Sequence, residues 1–98
     1  MNTPANQTSE PQAPQIDPSL DWHNPALVRY DNGDQVMVVI SPAGIRHLHN
    51  HTGPAVIPAQ GRLEWWLWGR KYPFESWVTL SEVSESQLTY LRIRYDTR

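Results

Sequence analysis

Arg62-Leu63-Glu64-Trp65-Trp66-Leu67-Trp68-Gly69 is the densest apolar stretch of the chain. In an extended backbone successive side chains point to opposite faces. Leu63, Trp65 and Leu67 then share one face, and Glu64, Trp66 and Trp68 the other. The first set is unbroken in apolar character and reads as core. The second set mixes a carboxylate with two indoles, and Trp is enriched at binding hot spots. Trp66 and Trp68 are therefore candidates for partner contact, unless a helix covers their face too. Arg70 and Lys71 follow at once and extend that candidate surface, although basic pairs of this kind most often form a solvated face.

Upstream, the reading is a series of strands. Ala26-Leu27-Val28-Arg29-Tyr30 and Gln35-Val36-Met37-Val38-Val39-Ile40 flank Asp31-Asn32-Gly33-Asp34. Asn32-Gly33 suits the two positive φ angles of a type I′ hairpin. Ile45-Arg46-His47-Leu48-His49 predicts a third strand and Ala55-Val56-Ile57 a fourth. Pro25-Ala26-Leu27-Val28 and Pro54-Ala55-Val56-Ile57 echo one another, each followed by a turn glycine, Gly33 or Gly61. Two similar hairpins side by side make a small antiparallel meander.

Downstream the period changes. Phe74, Trp77, Val78 and Leu80 recur at helical spacing behind Pro73, a residue suited to a first helical position. Ser84 and Gln87 have the spacing of a capping box. Leu88, Leu91 and Tyr95 then share one face, with Ile93 off it; a closing strand from Leu91 to Tyr95 is the alternative. The expected fold is α+β: about four antiparallel strands with short C-terminal helical segments packed on them, over residues 21–98.

Residues 1–20 are Pro, Gln, Ser, Thr and Asn with few large apolar side chains. Such a segment cannot bury enough surface to offset its ordering entropy, so a disordered tail is expected. The remaining chain buries only about 60 % of its unfolded surface. Good aromatic packing or a homodimer would compensate. The formal charge of −2 is the difference between 8 basic and 10 acidic residues. Removing Glu10 and Asp17 of the tail leaves eight acidic and eight basic residues, a neutral domain. Neutrality disfavours nucleic acid, which demands a basic face. Arg92, Arg94 and Arg98 are the other basic grouping. With no cysteine, thiol catalysis and thiolate metal sites are excluded. No signal-like start and no apolar run of membrane-spanning length appear, so a cytoplasmic protein is expected.

His47-Leu48-His49-Asn50-His51 places three imidazoles at alternate positions. On a strand all three would point the same way. That fits a divalent metal ion such as Zn²⁺. The other reading is a polar loop before Gly53, since no carboxylate lies near in sequence to orient the rings. No nucleophile elbow, phosphate loop or His-Glu-x-x-His pattern is present, so neither an enzyme nor a cofactor is called for.

Gly53-Pro54-Ala55-Val56-Ile57, Gly61, Glu64-Trp65-Trp66-Leu67 and Gly69-Arg70 together resemble a hairpin repeat of uncharacterised bacteriophage and bacterial proteins. That repeat is similar to MORN-type hairpins in spacing. His49 matches its histidine, whereas Asn50, Thr52 and Trp68 stand where Arg, Asp and Asn are usual. Trp lacks the tolerance of Asn for positive φ, so Trp68 reads as kept for a contact. The resemblance implies a hairpin unit of phage or mobile-element origin. A chain of that origin and size is expected to bind a host protein or complex and inhibit it by occlusion, in the manner of an anti-CRISPR. A self-assembling virion module and a His47, His49, His51 metal protein are the alternatives.

Overall fold

The computed structural model describes residues 16–95. The fold is α+β. Strand β1 (Ala26–Arg29) pairs antiparallel with β2 (Gln35–Ile40). The opposite edge of β2 is shared by two short strands. β3 (Arg46–Leu48) takes the half ending at Ile40, and β4 (Val56–Ile57) takes the half starting at Gln35. Both edges of β2 are thus paired, and Val38 and Val39, which point to opposite faces, are both buried, in line with its nearly continuous apolar sequence. A second, two-stranded sheet joins β5 (Trp65–Leu67) to β6 (Arg70–Tyr72). One bridge, Val56 to Glu64, links the two sheets.

The hairpins differ from the expected pair. Pro54 to Ile57 and the stretch after Gly61 meet at that single bridge. The second full hairpin closes at Trp68-Gly69, and its return strand β6 was not foreseen. The turn at Asn32-Gly33 also differs. Among the described non-glycine residues only Trp68 and Glu82 have positive φ, so Asn32 does not adopt the type I′ conformation. Tyr30 and Asp34 instead close a loop of Asp31, Asn32 and Gly33, with Gly33 N–H donating to the Tyr30 carbonyl at 2.9 Å. Gly33 at φ 98° then restores the strand, the arrangement of a type I turn with a glycine bulge.

Helix α1 (Phe74–Ser81) follows β6 directly, with Pro73 as its cap residue. Helix α2 (Glu85–Tyr95) runs through the segment with the strand alternative. Ser84 Oγ accepts the Gln87 N–H at 3.1 Å, half of the expected capping box. The Gln87 side chain does not return to Ser84 but donates to the Thr52 carbonyl at 2.7 Å, tying α2 to the β3–β4 loop.

The core lies where β5 meets both helices. Trp65, Leu67, Trp77 and Leu91 are buried there. The ring centroids of Trp65 lie 4.7 Å from Phe74 and 4.8 Å from Trp77. Trp77 also donates its indole N–H to the Asn50 carbonyl at 2.9 Å, satisfying the one polar atom it buries. Leu63 packs against this cluster, as its strand face predicts, and Ile93 is left 78 % exposed off the helix face.

Residues 1–15 of the expected tail lie outside the described residues. Of the remainder, Leu20 is buried and Asp17 accepts the Trp22 indole N–H at its carbonyl, at 2.8 Å. Packing therefore starts ahead of Asp21. Among the described residues no helix is long and apolar enough to cross a membrane.

Candidate functional site

Both helices pack on one side of the sheets. α1 lies against β5 through the Trp65 and Leu67 face, and α2 lines a groove with Leu27 and Met37. Register fixes what stands on the other side. Val28, Val36 and Val56 form one cross-strand row ending at Glu64. Ala26, Val38 and Leu48 form the next. Trp66 continues this face, two residues beyond Glu64 and opposite Lys71. Its indole N–H donates to Glu64 Oε1 at 2.9 Å, and Lys71 Nζ lies 3.8 Å from Glu64 Oε2. The three side chains make a small polar-edged aromatic patch. Arg46 Nη1 meets the Tyr30 hydroxyl at 3.1 Å, spanning β2 on this same face. On this face Val38 is buried, while Ile40 stays 51 % exposed.

Trp68 is not part of that patch. Simple alternation would place it beside Trp66, but its φ of 54° ends the strand and turns the side chain. It packs against the Trp65 and Leu67 cluster, which Trp66 does not. Two bonds hold this turn. The Trp68 N–H donates to His49 Nδ1 at 2.9 Å, and the Gly69 N–H to the Leu48 carbonyl at 2.9 Å. Arg70 is exposed beside it and pairs with Leu67, so it stands on the opposite face of β6 from Lys71. The structure therefore joins Trp66 with Lys71 and separates both from Trp68.

The three alternate histidines stay near one another, with His49 and His51 5.7 Å apart and His47 and His49 both against Trp22, but they do not converge as a ligand set. His49 is 2 % exposed. Its burial, and then the neighbouring His51, hold its pKa down at about 4, with a backbone hydrogen bond at Trp22 acting the other way. A neutral ring whose Nδ1 already accepts an amide proton has little left for a metal. His47 meets the edge of Trp22 at 5.9 Å, and His51 meets His23 at 6.3 Å. Among the described residues no group of three or more His, Asp or Glu side chains is placed to hold a metal ion.

Trp68, His49 and His51 instead line a pocket of about 220 Å³ with Trp22, His23 and Glu82. Sequence reasoning did not single out Trp22, His23 or Glu82 as site residues. Trp22 and His23 sit at the edge of the expected tail, and Glu82 sits between helices, where spacing carries no signal. Of the second basic grouping, Arg92 and Arg94 are engaged locally, and Arg98 lies outside the described residues. Arg92 reaches Glu75 at 3.8 Å and lies over the Phe74 ring, and Arg94 lies over Tyr95. Comparison of the chain with family models, with characterised proteins and with solved structures returns no match.

Proposed function

We propose that this chain is a non-enzymatic protein-binding protein, and that it contacts its partner through the helix-free sheet face with Trp66 as anchor. One observation carries this reading. Trp66 is half-buried, lies outside the core cluster, and stands on an apolar face that neither helix covers. Tryptophan offers a large contact area at small entropic cost, and an apolar patch with a polar edge is the usual anatomy of a contact surface. Lys71 and Arg46 supply the edge. The hairpin resemblance adds the class of partner: a host protein or complex, occluded by a small phage-type inhibitor.

The test is retention of host proteins by tagged chain, compared with its Trp66→Ala and Ile40→Asp variants. Neither residue is in the core cluster, so both variants are expected to keep the wild-type circular dichroism. Loss of one dominant host protein with both variants is the expected result. A folded Trp66→Ala variant that retains the same protein at the same level would remove this face from the interaction. Retention of the chain's own copies alone would favour the self-assembling module.

A further inference from the structure

Trp68 and Glu82 are the described non-glycine residues with positive φ, at 54° and 56°, and both line the pocket beside His49. Left-handed backbone costs a side-chain-bearing residue about 1–2 kcal/mol, and such strain collects at functional sites. Trp68 has a structural reason, since His49 and the core hold it. Glu82 has none of that kind. It caps α1 in the left-handed conformation, a place where glycine fits without cost. Its side chain is exposed and has no ion-pair partner among the described residues.

The rest of the pocket is mostly ring surface, completed by Leu80 and Ser81 of α1. Trp22 sits edge-on to His49 at 5.1 Å, Trp68 lies 6.1 Å from His49, and His51 lies 5.7 Å from it. Indole faces are the best aromatic partners for a cation. An unpaired carboxylate at the rim of an aromatic pocket is complementary to a positive, partly apolar head group. A space of about 220 Å³ admits a small one.

We propose that this pocket binds an alkylammonium group, with Trp22 and Trp68 as aromatic walls and Glu82 as counter-charge. The site is separate from the Trp66 face and stands or falls independently of it. Two sources share this chemistry: a free small molecule such as choline, and a methylated lysine side chain.

The experiment titrates the full chain with choline chloride and, separately, with Nα-acetyl-trimethyllysine amide. Indole N–H shifts of Trp22 and Trp68 are followed by NMR at constant ionic strength. The uncharged isostere 3,3-dimethylbutanol is the control. Saturable shifts at both indoles with either cation, and none with the isostere, are expected. Tighter binding of the lysine derivative assigns the site to a polypeptide, and tighter binding of choline to a free ligand. Glu82→Gln should weaken binding about five- to tenfold. Glu82→Gly should weaken it equally while raising the melting temperature, because it removes the strain with the charge. Absence of saturation with both cations, equal binding of the isostere, or unchanged affinity in Glu82→Gln would overturn the proposal.

Discussion

The two hairpins turn in opposite ways, and the contrast separates local from tertiary coding. The β1–β2 turn is built from residues that suit it. Asn32 Oδ1 accepts the Asp34 N–H at 3.0 Å, and the one left-handed position is a glycine. The β5–β6 turn has positive φ at both Trp68 and Gly69, the type I′ pattern, with Trp where Asn or Asp would serve. Nothing near it in sequence favours that choice. It is held from outside, by His49 and by the Leu48 carbonyl, 19 and 21 residues away along the chain.

The largest expected effect breaks this external support by pH. His49 has a folded pKa of about 4 against its usual 6.5, so the folded state refuses a proton that the unfolded chain accepts. The associated stability is complete above pH 6.5, is lost as pH falls, and is exhausted near pH 4. At about 1.4 kcal/mol per pKa unit, the loss approaches ~3 kcal/mol. Protonation also turns the Nδ1 acceptor into a donor facing the Trp68 amide. Urea denaturation at pH 7 and pH 4.5, on wild type and His49→Gln, measures it. The variant should lose most of this pH dependence, and in wild type the Trp68 and Gly69 amides should exchange faster in acid than the Gly33 amide. Parallel pH slopes in the two proteins would show that His49 is not the support.

The same contrast explains what could be read in the sequence. β1 and β2 were legible because their signal is local: two apolar runs around an Asn-Gly turn. The Trp65 and Leu67 core face and the place of Ile93 off the helix face followed from period, whereas the helices leaned also on Pro73 and the Ser84–Gln87 spacing, and period left Leu91 to Tyr95 open to a strand. The β5–β6 hairpin was only partly legible: Gly69 marks the end of a strand, but Trp68 stands where such a turn favours Asn, and Arg70-Lys71-Tyr72 carries no apolar alternation to announce a return strand. Its shape depends on His49, and no rule of spacing ties position 49 to position 68. For the same reason alternation grouped Trp68 with Trp66, while a single left-handed residue sends it to the core. The pocket around Trp22 and Glu82 brings distant segments together and was beyond the reach of pattern.

A smaller effect comes from the glycines, and it reverses the ranking of the two turns. A Cβ at Gly33 would sit 3.2 Å from Ala59 Cβ, whereas one at Gly69 meets His47 no closer than 3.7 Å. Both positions carry the left-handed penalty of about 1–2 kcal/mol. Gly33→Ala adds a tight contact, so it should cost about 2 kcal/mol and Gly69→Ala about 1 kcal/mol. Denaturant midpoints of the two variants decide the order. A larger loss at Gly69 would mean that the second turn has no slack beside His47.

The smallest effect concerns one tyrosine in each hairpin, and here the expected signs are opposite. Tyr30 accepts a hydrogen bond from Arg46 at 3.1 Å on an exposed surface. Removing that hydroxyl gives up a solvent-competed bond, so Tyr30→Phe should lose only about 0.5 kcal/mol. The Tyr72 hydroxyl is buried without a protein partner among the described residues. Its desolvation is uncompensated, and the ring around it packs against the core cluster in either variant. Tyr72→Phe should therefore stabilise the protein by up to about 1 kcal/mol, read as a higher melting temperature with unchanged near-ultraviolet circular dichroism. A loss instead would place a bound water on that hydroxyl. The second hairpin would then be supported from outside at its β6 strand as well as at its turn.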